Sequence, residues 1–189
     1  MKQLYLILAV NTVLSASSFA FNLQQTGRER LEQIEQALHT DVPRILCISD
    51  SFATGGQPSE QGFSKLAANG FRSVLNLRTA AEGVDLEKER TLVEKSGMRY
   101  LHIPVVGSAP RAEQADEFIR VVKEKAYHPM LIHCGSANRV GAFMMIYRVV
   151  EQGWSEEKAE EEAVKIGLRS EELKKFAKDY IARQKAKRG

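Results

Sequence analysis

Only two cysteines, Cys47 and Cys134, occur in the 189 residues, which rules out a multi-bridge disulfide scaffold and a four-cysteine zinc site. Each thiol therefore needs its own explanation. The four histidines, His39, His102, His128 and His133, show no metal-ligand spacing, so no metal is expected and no cofactor is implied. A dominant charge is missing too. Lys plus Arg number 27 against 24 Asp plus Glu, too even a balance for the field by which nucleic-acid binders hold a polyanion. Neither a repeat nor a low-complexity linker divides the chain. At this length, with 43% apolar residues, one buried core is expected and two are not.

The most apolar stretch comes first. Lys2 precedes the run Leu4, Tyr5, Leu6, Ile7, Leu8, Ala9, Val10, which gives way to Ser17, Ser18, Phe19 and Ala20. A positive start, a short apolar core and small residues at Ser18 and Ala20 have the form of a secretory signal cleaved after Ala20. Asn11, Thr12 and Ser15 interrupt the run well short of the roughly 20 residues a spanning helix needs. The mature chain is thus expected to be periplasmic or secreted, with no stable membrane insertion after cleavage, in a compartment where thiols tend to oxidise.

Residues 21–43 read as a helical lead-in, with Leu31, Ile34 and Leu38 at helical spacing. Four apolar runs of strand length follow, at 44–48, 73–77, 100–106 and 130–133. Helical patterns alternate with them. Ser59 caps a helix carrying Phe63, Leu66 and Ala67 that stops at Asn69-Gly70. A second covers 86–96 and stops at Gly97. A third begins at Pro110 with Ala115, Phe118, Ile119 and Val122 inward. Strands alternating with helices imply a short, mainly parallel sheet of four to five strands with helices on both faces. After the last strand the chain turns wholly helical: one helix at 139–152 ended by Gly153, one capped by Ser155 and ended by Gly167, and one capped by Ser170. The expected fold is α/β, with one domain over residues 44–189. The basic tail, Lys174 to Arg188, reads either as a solvated helix face or as a patch for an anionic surface.

The stretch Met130-Leu-Ile-His-Cys134-Gly-Ser-Ala-Asn-Arg139-Val-Gly-Ala142 carries the chemistry. A buried strand ends at a cysteine, small residues make a tight loop, and an arginine opens a helix. Small residues let the backbone N–H groups of Gly135, Ser136, Ala137 and Asn138 turn inward, the helix start adds partial positive charge, and Arg139 can grip two oxyanion oxygens at once. The same field favours the thiolate of Cys134, the nucleophilic form. An electrophile bearing several anionic oxygens is the natural substrate.

This pattern resembles the cysteine-dependent tyrosine and dual-specificity phosphatases, whose signature is His-Cys, five variable residues and Arg. It is most similar to a bacterial family related to the phosphatase-like part of beta-lactamase-hydrolase-like proteins. The resemblance extends through Thr54-Gly-Gly-Gln-Pro58, Val74-Leu-Asn-Leu-Arg78, Tyr100-Leu-His-Ile-Pro104 and the helix continuing to Gly153-Trp154. It implies a cysteine-phosphatase-like sandwich, Cys134 as the nucleophile forming a phosphocysteine, and Arg139 with the loop amides holding the phosphoryl oxygens. The implied partner is a phosphorylated protein or small molecule.

Three departures stand out. Four residues, not five, separate Cys134 from Arg139, a spacing also found in rhodanese-like sulfurtransferases. Val140 follows the arginine where phosphatases commonly place a Ser or Thr that assists thiolate departure, so Ser136 is the remaining hydroxyl. No carboxylate occupies Val105-Val-Gly-Ser-Ala109, where the dual-specificity pattern has its general acid; Asp85, Glu113 and Asp116 are the substitutes in reach. Two further functions therefore stay open: sulfur transfer, and non-catalytic binding of an oxyanionic ligand.

Supporting residues have two readings each. His133 tunes the loop or is a satisfied core histidine. Gln57, leaving the first strand, reaches the Cys134 loop or only makes a turn. Arg78 adds to the positive field or pairs with Glu82. Cys47 is a redox partner for Cys134 or a core thiol.

Overall fold

The computed structural model describes residues 25–188, so the expected signal sequence and cleavage after Ala20 lie outside the described residues. The strands are β1 (Leu46–Ser49), β2 (Phe52–Gly55), β3 (Ser73–Asn76), β4 (Arg99–His102) and β5 (Met130–His133), side by side in the order β1-β2-β5-β3-β4. β2, β5, β3 and β4 run parallel, while β1 pairs antiparallel with β2. The mainly parallel sheet is as the sequence pattern predicts, but β2 is not visible there. Phe52-Ala-Thr-Gly55 holds one large apolar side chain, and its strand state comes from pairing on both edges with every residue buried. Gly56-Gln57 consequently leaves β2, an inner strand, rather than the first one. The third expected strand is shorter than 100–106: beyond His102 the chain continues irregularly, with Ile103 N–H on Asn76 O (3.0 Å) and Val105 N–H on Leu77 O (3.2 Å).

Among the described residues, seven α-helices surround the sheet: α1 (25–38), α2 (Glu60–Ala68), α3 (Leu86–Lys95), α4 (Ala112–Lys123), α5 (Asn138–Val150), α6 (Glu156–Ile166) and α7 (Glu171–Arg188). Their starts obey capping chemistry. The side chains of Ser59, Asp85, Ser155 and Ser170 accept from Gly62, Lys88, Lys158 and Leu173 N–H groups. Asp85 is thereby committed to holding a helix end.

Alternation along the strands divides the core in two. Ala53, Val74, Tyr100 and Leu131 pack with Leu38, Phe63, Leu66 and Val93, the α1–α3 side. Phe52, Leu75, Met130 and Ile132 pack with Phe118, Phe143, Met144 and Ile146, the α4–α7 side. α5 is buried over nearly its whole surface, between the sheet and the last two helices. Buried Arg148 on α5 grips Glu162 of α6 with two hydrogen bonds (2.6 and 2.9 Å). The basic tail is largely ion-paired along its own helical layer, Lys174 and Lys178 with Glu160 and Lys185 with Glu156, while Leu173 and Ile181 face the core.

The α5–α6 contact depends on Gly141. A Cβ there would lie 2.6 Å from Ala163 O and 2.9 Å from Leu168 Cβ. Overpacking of this kind destabilises by about 1–3 kcal/mol. Gly141→Ala should therefore lower the urea midpoint by a corresponding amount; an unchanged midpoint would contradict the packing.

Candidate active site

Parallel α/β sheets gather ligand sites at the C-terminal ends of their strands, and here β2, β3, β4 and β5 all open on one edge. Cys134 follows β5 there and is 1% exposed. The next residues fold back along Gly56, which bridges to Ser136, while Gln57 N–H donates to Gly135 O. Ala137 takes a left-handed backbone (φ 63°) as N-cap of α5, reversing the chain into the helix. The first intrahelical bond runs from Gly141 N–H to Ala137 O, so the N–H groups of Asn138, Arg139 and Val140 precede any intrahelical acceptor. The positive end of α5 thus adjoins the loop. Cys134, Ser136, Asn138 and Arg139 line a cleft of about 660 Å³ whose other walls include Thr79, Glu82, Ser108, Ser170 and Glu172.

Arg139 is fixed from three directions. Its Nη1 donates to Leu77 O (3.1 Å), Val105 O (2.8 Å) and Glu82 Oε1 (2.6 Å), and its Nη2 donates to Glu82 Oε2 (2.7 Å). A guanidinium carries five N–H groups in a rigid fork. Glu82 takes the end edge and the carbonyls take the remaining Nη1 hydrogen, which leaves the side edge of Nε–H and one Nη2–H. Burial opposes the arginine's charge, but hydrogen bonding and charge interaction with Glu82 and Cys134 raise its pKa above the ordinary value.

Glu82 also accepts from Thr79 N–H (2.8 Å) and Arg78 Nε–H (3.1 Å). Burial works against its ionisation, yet Arg139, the Thr79 amide and Arg78 bring its pKa down to about 2. Behind it the chain of polar contacts continues inward. Arg78 Nη1 donates to Gln57 Oε1 (2.8 Å), and Gln57 Nε2 to Glu89 Oε2 (2.7 Å). Glu89 Oε1 receives Asn76 Nδ2 (2.7 Å) and faces His133 Nε2 (3.1 Å). Burial disfavours the Glu89 carboxylate, but His133, Gln57 and Asn76 outweigh it and hold its pKa below the usual range.

The structure brings Cys134, Ser136, Asn138 and Arg139 together and redistributes the other expected residues. Gly135 leaves room: a Cβ there would stand 3.8 Å from both Arg139 Nη2 and Glu82 Oε2. Ala137 is wholly buried and makes the turn. The Asn138 side chain does not face a substrate, because its Oδ1 accepts from Arg169 and Ser170 N–H groups (2.9 and 3.3 Å) and anchors the α6–α7 connector. Gln57 meets the Cys134 loop through its N–H on Gly135 O, but its side chain does not line the cleft, because both ends of its amide are engaged by Arg78 and Glu89. Arg78 pairs with Glu82, the second of its two readings. None of the expected acids lines the cleft: Asp85 caps α3, Asp116 accepts from Tyr180 OH (2.5 Å), and Glu113 lies 3.9 Å from Arg111.

Cys47 and Cys134 are both free thiols. Cys47 is level with Ala53, which is level with Leu131, so the two cysteines stand two strands and three residues apart. That is roughly 10 Å in each direction, beyond the 7 Å or so that a disulfide spans. They also belong to opposite cores. Burial, reinforced by Glu35, pushes the Cys47 thiol up to about 12, so it is a core thiol.

Glu89, Arg169 and the pairing of Glu82 with Arg139 were hidden in the sequence. Thr79 and Glu82 do have capping-box spacing and form that box, which locates a turn. Nothing local shows that the turn's carboxylate meets an arginine 57 residues away.

A mainly parallel α/β sandwich with a cysteine, a small loop and a helix-opening arginine at the strand ends defines a protein of the cysteine-phosphatase type. Residues 34–188 match the family described as DSP-PTPase phosphatase fused to NAD+ kinase, and the chain belongs to that family of tyrosine- and dual-specificity-type phosphatases. It is 29% identical over 111 residues to the beta-lactamase hydrolase-like protein of Xylella fastidiosa, covering 57% of this chain and 25% of that protein. The chain therefore spans about a quarter of that relative's length. Its fold superposes on a DUF442 protein of Shewanella putrefaciens with TM-score 0.66, at 22% identity over 77% of this chain and 96% of the other. TpbA of P. aeruginosa, crystallised with phosphotyrosine, superposes with TM-score 0.58 at 22% identity, over 73% of this chain and 82% of that one.

A depressed carboxylate pKa stabilises the fold above the unfolded value and is lost as pH falls toward the folded one. Glu82→Gln should cost about 1–3 kcal/mol at neutral pH. Urea midpoints of wild type and variant should converge as pH falls from 4.5 toward about 2. A gap independent of pH would contradict the ion pair.

Proposed function

We propose that the mature chain is an exported phosphatase that hydrolyses phosphate monoesters through a phosphocysteine on Cys134. The observation carrying this reading is the pinned guanidinium of Arg139, its side edge left clear by Glu82 and the two carbonyls, sharing a cleft and a favourable side-chain interaction with Cys134 at the start of α5. That edge matches two oxygens of a phosphoryl group. The thiolate attacks phosphorus, the S–P bond forms as the P–O bond breaks, and the leaving oxygen takes the electron pair. Arg139 and the N–H groups at the start of α5 stabilise the charge on the transferring group. Water then attacks phosphorus and the P–S bond breaks.

Among the described residues, no well-placed general acid supports the first step. Both cleft carboxylates favour their ionised forms: Glu82 through Arg139, and Glu172 through the Ser170 hydroxyl and its own N–H at the start of α7. Lack of an acid costs ~10²–10⁴-fold, so aryl phosphates, whose leaving groups need little protonation, are the favoured class. The phosphotyrosine complex of the P. aeruginosa neighbour is in keeping with that class. Export rests on the form of residues 2–20; among the described residues, no helix is long and apolar enough to cross a membrane. The four-residue loop also suits sulfur transfer, but family membership favours the phosphatase.

Purified mature protein should turn over an aryl phosphate much faster than an alkyl phosphate and yield no thiocyanate from thiosulfate and cyanide. Cys134→Ser should abolish the turnover, and Arg139→Ala should lower it by roughly 10²–10³-fold. Turnover that survives Cys134→Ser, or thiocyanate formation dependent on Cys134, would overturn the reading. The exported protein should begin at Phe21 by N-terminal sequencing.

A further inference from the structure

We propose that Ser136 is a catalytic residue that assists departure of the Cys134 thiolate, and that Arg169 is the positioning residue that aims its hydroxyl. The inference rests on the phosphocysteine reading above. Breakdown of that intermediate forms a bond from water oxygen to phosphorus and breaks the P–S bond, whose electron pair stays on Sγ; both water hydrogens leave on dihydrogen phosphate. A hydroxyl donating to the departing sulfur speeds this step. Val140, the residue after the arginine, is fully buried and has no hydroxyl to give.

Ser136 has one. It lies in the same loop as Cys134 and lines the same cleft. Arg169 Nη2 donates to Ser136 Oγ (2.7 Å), and Arg169 Nη1 approaches Ser136 O (3.4 Å) and Gly167 O (3.3 Å). A serine hydroxyl has one proton and two lone pairs. With the guanidinium on a lone pair, the proton is left to donate, and the cation's pull strengthens that donation. The backbone around Arg169 is held in turn. Asn138 Oδ1 accepts from its N–H, and Gly167 approaches the loop so closely that a Cβ there would lie 3.2 Å from Ala137 Cβ and 3.3 Å from Ser136 O. The α6–α7 connector is therefore built against the loop, with its arginine on the cleft-lining hydroxyl that lies between Cys134 and Arg139.

The test is a rapid-quench assay of the mature protein with an aryl phosphate. Ser136→Ala should leave a burst of about one aryl alcohol per active site, followed by turnover slowed roughly 10- to 100-fold, the loss expected for one charge-assisted hydrogen bond in the transition state. Intact mass should show the phosphorylated enzyme accumulating. Arg169→Ala should give the same burst, Arg169→Lys and Ser136→Thr should restore steady turnover, and Val140→Ser should restore it in the Ser136→Ala background. Unchanged turnover in Ser136→Ala, or equal loss of burst and steady rate, would overturn the assignment while leaving the phosphatase intact. Absence of any Cys134-dependent turnover in wild type would overturn both.

Discussion

Arg139 donates to the carbonyls of Leu77 and Val105, which lie just beyond the ends of two different strands, and to a carboxylate from a third segment. That convergence is the constraint on which the site depends. A flexible arginine reaches many positions; one whose end edge and inner Nη1 hydrogen are engaged by fixed acceptors keeps its remaining edge in place. Such pre-placement of donors is where electrostatic catalysis draws its strength, because no reorganisation accompanies charge development. Glu82 thus occupies the arginine without taking the edge that an oxyanion would use.

The fold makes this arrangement rigid from both sides. Cys134 continues β5, which is flanked by β2 and β3, and Arg139 opens a helix whose Val140, Phe143, Met144 and Ile146 are fully buried. A strand end and a helix start fixed by core packing leave the four intervening residues little latitude. The polar chain from Glu82 through Arg78, Gln57 and Glu89 to His133 runs beneath the loop, so the residue preceding the cysteine and the arginine following it share one hydrogen-bonded support. Removing an inner member leaves a buried partner unsatisfied, which costs more than the bond itself contributes.

The parts of the molecule governed by local chemistry were legible in the sequence. The apolar run at 130–133, the serine caps at 59, 155 and 170, and the cysteine-to-arginine loop each follow from periodicity or from one helix end, and each is in place. β2 was not legible because Ala53, Thr54 and Gly55 become a strand through their neighbours' hydrogen bonds rather than through apolar pattern. Likewise the choice between the two readings of Gln57 was not legible: its N–H meets the Cys134 loop at Gly135 O, and the engagement of its side chain by Arg78 and Glu89 is set by strand order. Asn138 stands in the expected loop, yet the last connector, not a ligand, takes its carbonyl oxygen. Long-range pairings of polar side chains leave no periodic trace, and the active site is made largely of them.

The central claim is that Arg139, still paired with Glu82, and Cys134 together form a ready-made seat for a phosphoryl group. A crystal structure of the protein with vanadate, which takes the trigonal-bipyramidal shape of phosphoryl transfer, tests it directly. Vanadium bound to Cys134 Sγ, with its oxygens on Nε and the free Nη2 hydrogen of an Arg139 still joined to Glu82, is the predicted result. Vanadate absent from the cleft, or bound only after Arg139 has left Glu82, would contradict the account.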